Sequence, residues 1–235
     1  MTPADTWAEA AAFMGEAYLR YSFTKGTEQE VEFLIDALGL RPGMRALDVG
    51  CGPGRHALAL AQRDIEVVGI DIAERFIELA RRGAPARATF DVGDARALPY
   101  HAEFDAVISL CQGGFGLVGE HDPSVLDGMA RALKPGGLLA LSAFSAYFAV
   151  RYLEETDEFD ADKGENTEEA TLRNATGDEI PFPLRTTCFT PRELRLLCAR
   201  SGLGVESLWS VAPGRYRRER PGLESPEFLL IARKP

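Results

Sequence analysis

Apolar and polar positions along this chain follow two rhythms that alternate. Val31, Leu34, Ile35 and Leu38 recur at helical spacing, which predicts a helix from Thr27, its expected cap, to about Leu40 with one buried face. Gly39 and Pro42-Gly43 break it. Residues 45–50, Arg-Ala-Leu-Asp-Val-Gly, read as a buried strand, and a helix follows to about Arg63. The alternation then continues through strand Ile65–Asp71, helix Ala73–Arg82, strands Ala88–Val92 and Phe104–Leu110, and helix Ser124–Leu133. A sharp turn at Lys134-Pro135-Gly136-Gly137 leads into strand Leu138–Phe144. These short strands lack period-two alternation, as expected of a sheet covered on both faces. Helices between them imply right-handed crossovers and a mainly parallel α/β sheet.

After Phe144 the rhythm changes. Ser145–Leu153 is aromatic and helical in type, and the segments Glu169–Leu172 and Pro183–Cys188 predict an antiparallel ribbon around residues 174–178. Thr190-Pro191-Arg192-Glu193 combines a capping threonine, proline at the first helical position and glutamate at the third, so a helix is expected from there to about Ser201. Two late strands, Gly204–Val211 and Pro226–Ala232, are expected to be joined by a loop carrying Arg215, Arg217, Arg218 and Arg220.

Composition narrows the class. With 46% hydrophobic and 26% charged residues the chain is expected to be a soluble globular protein. No apolar run approaches the ~20 residues that span a bilayer, and the N-terminus lacks the basic start and apolar core of a signal peptide. Cys51, Cys111, Cys188 and Cys198 are scattered without a C-x-x-C pair. They read as reduced thiols in a cytoplasmic protein, with no structural zinc and no other metal site. Net charge is −10, and residues 154–179 hold eleven Asp and Glu against Lys163 and Arg173, which is −9 of it. That balance argues against a nucleic-acid partner. The acidic run reads as a solvated lid or as an attractor of a cationic amine, and the arginine cluster as solvated charge or a contact for an anionic small molecule.

The most specific chemistry lies in Leu47-Asp48-Val49-Gly50-Cys51-Gly52-Pro53-Gly54-Arg55-His56. A strand runs into glycines spaced G-x-G-x-G and then into a helix, so the turn offers close backbone approach and free N–H groups to a nucleotide-like ligand. The dinucleotide fingerprint G-x-G-x-x-G differs, because Arg55 occupies the place of its last glycine. Asp71, closing the second strand, can accept hydrogen bonds from ribose hydroxyls and so marks an adenosine.

Together Leu47–Ala61, Asp71, Asp94, the Phe104–Leu110 strand and Leu133-Lys134-Pro135-Gly136-Gly137 resemble the class I S-adenosylmethionine-dependent methyltransferases, of the small-molecule type. The resemblance implies a Rossmann-like sheet of seven strands, mostly parallel with an antiparallel last strand, and helices on both faces. It fits a single domain with an N-terminal cap segment over residues 1–26 and a lid insertion over 145–189. By the same resemblance S-adenosylmethionine is the cofactor. Gly50, Gly52 and Gly54 would pass under its methionine part, with Asp48 near the amino group. Asp71, with Ile72 beside it, would take the ribose hydroxyls. Asp94 would accept from the adenine amino group, and the Ala95 N–H would reach the ring. Cys111 and Gln112 would border the methionine end, and Tyr21, in a segment that related enzymes fold over the cofactor, would contact the methionine carboxylate.

The acceptor is less legible. Methyl transfer needs alignment and exclusion of water more than a fixed catalytic residue. His121, after the fourth strand, is the histidine best placed to act as a base; His56 reads as a helix-start hydrogen bond or a substrate contact. Cys111 lacks the preceding proline of cytosine-C5 methyltransferases and reads as a small buried residue. Tyr147, Phe148 and Arg151 lie in an aromatic group suited to line a substrate cleft or a lid's own core. The expected activity is methyl transfer to N or O of a small molecule by a monomer or homodimer. A protein or RNA methyltransferase, and a cofactor-binding protein without catalysis, are the alternatives.

Overall fold

A computed structural model describes residues 3–111 and 113–235. Five parallel strands form its centre: β1 (Arg45–Val49), β2 (Glu66–Asp71), β3 (Ala88–Val92), β4 (Phe104–Ser109) and β5 (Leu133–Ser145). Successive residues of each strand serve opposite faces. Ala46, Val67, Ala106 and Ala140 pack against α2 (Thr27–Leu38), α3 (Arg55–Ala61) and α4 (Glu74–Arg81). Leu47, Val68, Val107 and Leu139 pack against α5 (Asp122–Ala132) and α7 (Pro191–Arg200). Both faces are dry, which is why the strands read as continuous apolar runs.

Beyond β5 the sheet closes with β11 (Glu227–Arg233), antiparallel to both β5 and β9 (Gly204–Ala212). The arginine segment is a strand rather than the expected loop: β10 (Arg215–Glu219) pairs with β9 and gives the main sheet eight strands instead of seven, in the order β10-β9-β11-β5-β4-β1-β2-β3. Only Tyr216 of this strand enters the core, while Arg217 pairs with Glu219 and Arg218 with Asp36. A charged edge of this kind resists pairing with another chain, and with one apolar residue in five it carries little strand signal.

Between β5 and α7 the chain forms α6 (Ala146–Arg151) and a three-stranded antiparallel ribbon of β6 (Glu158–Asp160), β7 (Glu165–Arg173) and β8 (Glu179–Phe189). The ribbon joins the sheet where Phe144 and Ser145 pair with Cys188 and Phe189. At the N-terminus, α1 (Pro3–Met14) packs Ala10, Ala11 and Met14 against Leu172 and Phe182 of the ribbon and Phe76 of α4. The Thr190 capping box is present at α7. Thr27 is not a cap: it is the first helical residue, its hydroxyl donates to the Thr24 carbonyl, and Gly26 takes the cap position. Glycine is needed there because a Cβ would lie 2.0 Å from the Gly214 Cα in the β9–β10 turn.

Candidate cofactor site

The three glycines after β1 do three different things. Gly50 sits at φ +70°, and a Cβ there would fall 0.9 Å from the Gly113 carbonyl oxygen, so it lets the segment after β4 cross close over the loop. Gly54, at φ +82°, would collide with Ala80 and Phe90, so it seats the start of α3 on α4 and β3. Gly52 alone faces open space: a Cβ would approach nothing nearer than Tyr18 and Phe76, both at 3.9 Å. These two rings line a cleft of about 860 Å³, counting the part open to solvent, together with Gly50, Gly52, Asp71, Ile72, Asp94, Ala95 and Cys111. The cleft lies beyond the carboxyl ends of β1, β2 and β4, where open α/β sheets take ligands.

The carboxylates here are held in distinct ways. Asp71 is buried and accepts from the N–H groups of Gly52 and Ala73, both at 2.8 Å. Burial pushes its carboxyl up against these hydrogen bonds, which favour the charged form. Asp48 does not line the cleft; it is buried two residues before Gly50, and its Oδ2 has no hydrogen-bond partner among the described residues. Burial raises it to about 7, with Arg55 opposing and the Asp71 charge adding to the rise. Asp94 grips the Arg96 guanidinium with both oxygens and accepts the Arg96 N–H, and its carboxyl is held low by this pairing.

Beneath the loop lies a buried charged network. The Glu30 carboxylate, fully buried, accepts from Arg55 at 2.6 Å, from the Gly214 N–H at 2.8 Å, and bonds His56 at 2.7 Å. Burial alone would raise the Glu30 carboxyl, but His56, Arg55 and the Gly214 N–H outweigh it and hold it low. Burial, together with the Arg55 charge, keeps His56 neutral. Arg55 also donates to the Cys111 Sγ at 2.9 Å, so Cys111 is a half-buried acceptor at the cleft wall rather than an inert core residue. Cys111 takes φ +51°, a left-handed conformation that turns the chain out of β4.

The roof combines distant segments. Trp7 of α1 lines the cleft and meets Phe182 of the ribbon edge to face at 6.2 Å. Tyr18 lines it as well, tilted on Phe76 at 4.8 Å. Tyr21 stacks on Phe23, and its hydroxyl accepts from the Arg173 N–H of β7. That ties the N-terminal segment to the ribbon, and Tyr21 is not among the residues lining the cleft. Gln112 lies outside the described residues. His121 is exposed on its side chain, 3.9 Å from Glu120 and outside the lining of the cleft. Phe148 lines a second cleft. Tyr147 instead packs on Phe228, and Arg151 pairs with Glu224. Trp7, Arg55 and Phe76 were missed in the sequence. Only Arg55 left a signal, as the charged residue in place of a fingerprint glycine. No group of three or more His, Cys, Asp or Glu is arranged to hold a metal ion among the described residues.

Known proteins share this arrangement. Residues 46–137 match the family profile of a methyltransferase domain. The demethylmenaquinone methyltransferase of Renibacterium salmoninarum is 33% identical over 145 residues, covering 58% of this chain and 59% of that protein. The 27-O-demethylrifamycin SV methyltransferase of Amycolatopsis mediterranei is 36% identical over 148 residues, covering 59% of this chain and 49% of that one. The chain spans about half the length of the curated relatives it matches. In structure it resembles the CcbJ methyltransferase of Streptomyces caelestis, with a TM-score of 0.77 over 100% of this chain and 98% of the other at 19% identity, a likeness of fold. The matched domain, these relatives and the shared fold support a class I S-adenosylmethionine-dependent methyltransferase, an enzyme type whose cofactor is S-adenosylmethionine.

Proposed function

We propose that this enzyme transfers a methyl group from S-adenosylmethionine to N or O of a small-molecule acceptor. The observation that carries the reading is the cleft over Gly52. It is a backbone cradle that a single Cβ would intrude upon, lined by the ribose-type carboxylate Asp71, with the buried Asp48 two residues before Gly50 carrying an Oδ2 that has no partner among the described residues. The residues fit the cofactor: a cationic amino group is the natural partner for that orphaned oxygen. Asp71 takes the ribose hydroxyls while keeping Gly52 and Ala73 fixed, Ile72 covers the sugar, and Asp94 and the Ala95 N–H receive the adenine edge. Gly50 and Cys111 border the methionine end, and Gly54 keeps the loop seated on α4.

S-adenosylmethionine supplies a methyl group on a sulfonium, reactive enough that no covalent enzyme intermediate is needed. The chain's part is to bind, align and keep out water. Tyr18, Trp7 and Phe76 form an apolar wall on one side of the cleft. Residues 1–26 and the 145–189 insertion act together as a lid, tied by Trp7–Phe182 and by the Tyr21 hydroxyl on Arg173, within one methyltransferase unit. His121, solvent-exposed and outside the cleft, is not needed as a base. An acceptor nitrogen that arrives unprotonated attacks without one.

Small acceptors are favoured by the overall acidic charge and by the pairing of two of the β10 arginines, Arg217 with Glu219 and Arg218 with Asp36, which thins the basic surface a nucleic-acid backbone would need. The test is transfer of labelled methyl from S-adenosylmethionine to a panel of small amines, phenols and alcohols beside a protein mixture and total RNA. Label in small molecules supports the reading. Label only in protein or RNA, or cofactor binding with no transfer to any acceptor, overturns it.

A further inference from the structure

A second cleft, of about 1130 Å³ including the part open to solvent, opens between the end of β5, α6 and the ribbon. It has an unusual lining. Phe148 and Tyr152 stand on one side with ring centroids 4.6 Å apart. Glu154, Asp157, Glu168 and Glu169 line it as well, and no Lys, Arg or His lines the cleft among the described residues. Arg151 pairs with Glu224 and lies 5.9 Å from the Tyr152 ring centroid, Lys163 pairs with Asp160 and Arg173 with Glu179, so Phe148 is the ring left for a ligand cation. The acidic residues are joined by a polar group that is itself unmet: Asn166 lines the cleft, is 9% exposed, and its Oδ1 has no partner. Burial and the charges of Asp157 and Glu154 raise the Glu168 carboxyl, the sign of like charges crowded without a counter-ion.

A ring that attracts a cation through its face, carboxylates without basic partners and an unmet carbonyl acceptor converge on one kind of ligand. We propose that this cleft anchors the methyl acceptor by a positively charged nitrogen carried on an apolar skeleton. The proposal deepens the small-molecule methyl-transfer reading and rests on it. It also separates two sites on the acceptor. Carboxylates favour the charged form of an amine, and a protonated nitrogen cannot attack, so the anchored nitrogen is not the reacting atom. Phe144 and Ser145, which line this cleft, end β5. The adjacent strand β4 leads into Leu110 and Cys111 of the cofactor cleft, and the Cys111 N–H donates to the Ser142 hydroxyl, so this cleft begins two to three residues further along β5 than the cofactor cleft's edge.

The test uses the full chain and benzyltrimethylammonium, a permanent cation, against neutral benzyl alcohol, each titrated by ligand-observed NMR. The cation is expected to bind at least about tenfold more tightly than the alcohol, and Glu154→Gln with Glu168→Gln to weaken it about tenfold. The S-adenosylmethionine dissociation constant of that double variant is expected to be unchanged, which also reports that it folds. Phe148→Ala is expected to weaken the cation independently of the carboxylates. Equal binding of cation and alcohol, no cation binding, or cation binding indifferent to both variants overturns the proposal. Failure of the broader reading looks different: the cation binds the cleft, yet no acceptor is methylated. If the anchor alone is wrong, methylation proceeds while the cation neither binds nor competes.

Discussion

The cleft over the glycine loop and the cleft under the ribbon differ in how their polar groups are held. Asp71 and Asp94 in the first are fixed by backbone N–H groups or by a guanidinium, and the floor is a buried network of Glu30, Arg55 and His56. Glu154, Asp157 and Glu168 in the second form no ion pairs among the described residues; Glu154 and Glu168 are exposed, and Asp157 accepts only the Glu154 N–H next to it. Preorganised groups suit a cofactor that is the same at every turnover. Loosely held charges on the ribbon suit an acceptor that differs from one relative to another. The two regions are nevertheless mechanically joined, because Trp7 roofs the first cleft and rests on Phe182 of the ribbon that bounds the second.

The largest expected effect breaks the rigid side. Glu30→Ala leaves Arg55 buried without its carboxylate and is expected to cost about 3–5 kcal/mol of folding stability in a denaturant titration. A loss below about 1 kcal/mol would mean that the floor is not held by this pair. Next, Phe182→Ala tests the joint between the regions. It is expected to cost about 3 kcal/mol of stability and, by loosening Trp7, to weaken S-adenosylmethionine binding measured by calorimetry. Removal of the acidic insertion therefore should not spare the cofactor site, which a reading of residues 154–179 as an independent lid would suggest. If Phe182→Ala leaves cofactor affinity intact, the regions are independent after all.

A smaller effect concerns pH. Asp48, ordinarily near 3.8, is raised by burial to about 7, so between these values the folded state holds more protons than the unfolded one. Its contribution to stability is present at low pH and is lost as pH rises through about 7. The difference in melting temperature between Asp48→Asn and the parent chain should therefore grow in favour of the variant from pH 5 to pH 8. A difference that stays flat with pH contradicts the burial of this carboxyl. Cofactor affinity of the parent should rise over the same range as Asp48 ionises, and that rise should vanish in the variant.

What could be read from sequence follows from distance along the chain. That Gly50, Gly52 and Asp71 share one cleft was legible because strand, loop and helix follow one another within a short span, and the parallel strands because each is apolar on two faces; Gly54 lies outside the lining. The capping box at Thr190 is similarly local. Trp7 and Phe76 were not legible, since their place in the cleft depends on α1 meeting a ribbon from the other end of the chain. Strand β10 was hidden by its arginines, whose partners Asp36 and Glu219 appear only in the fold. The three glycines looked equivalent, yet only Gly52 is shaped by an open approach; Gly50 and Gly54 answer to neighbouring protein atoms.

The central claim is that the glycine-loop cleft holds S-adenosylmethionine through Asp71. Isothermal titration of S-adenosylmethionine into the parent chain and into Asp71→Ala tests it most directly, with Asp71→Asn as a variant that preserves the side-chain shape. Saturable binding to the parent is predicted, weakened by about 1–3 kcal/mol in Asp71→Ala, or roughly fivefold to more than a hundredfold. An unchanged dissociation constant in both variants, or a parent chain that prefers a nicotinamide dinucleotide, would contradict it.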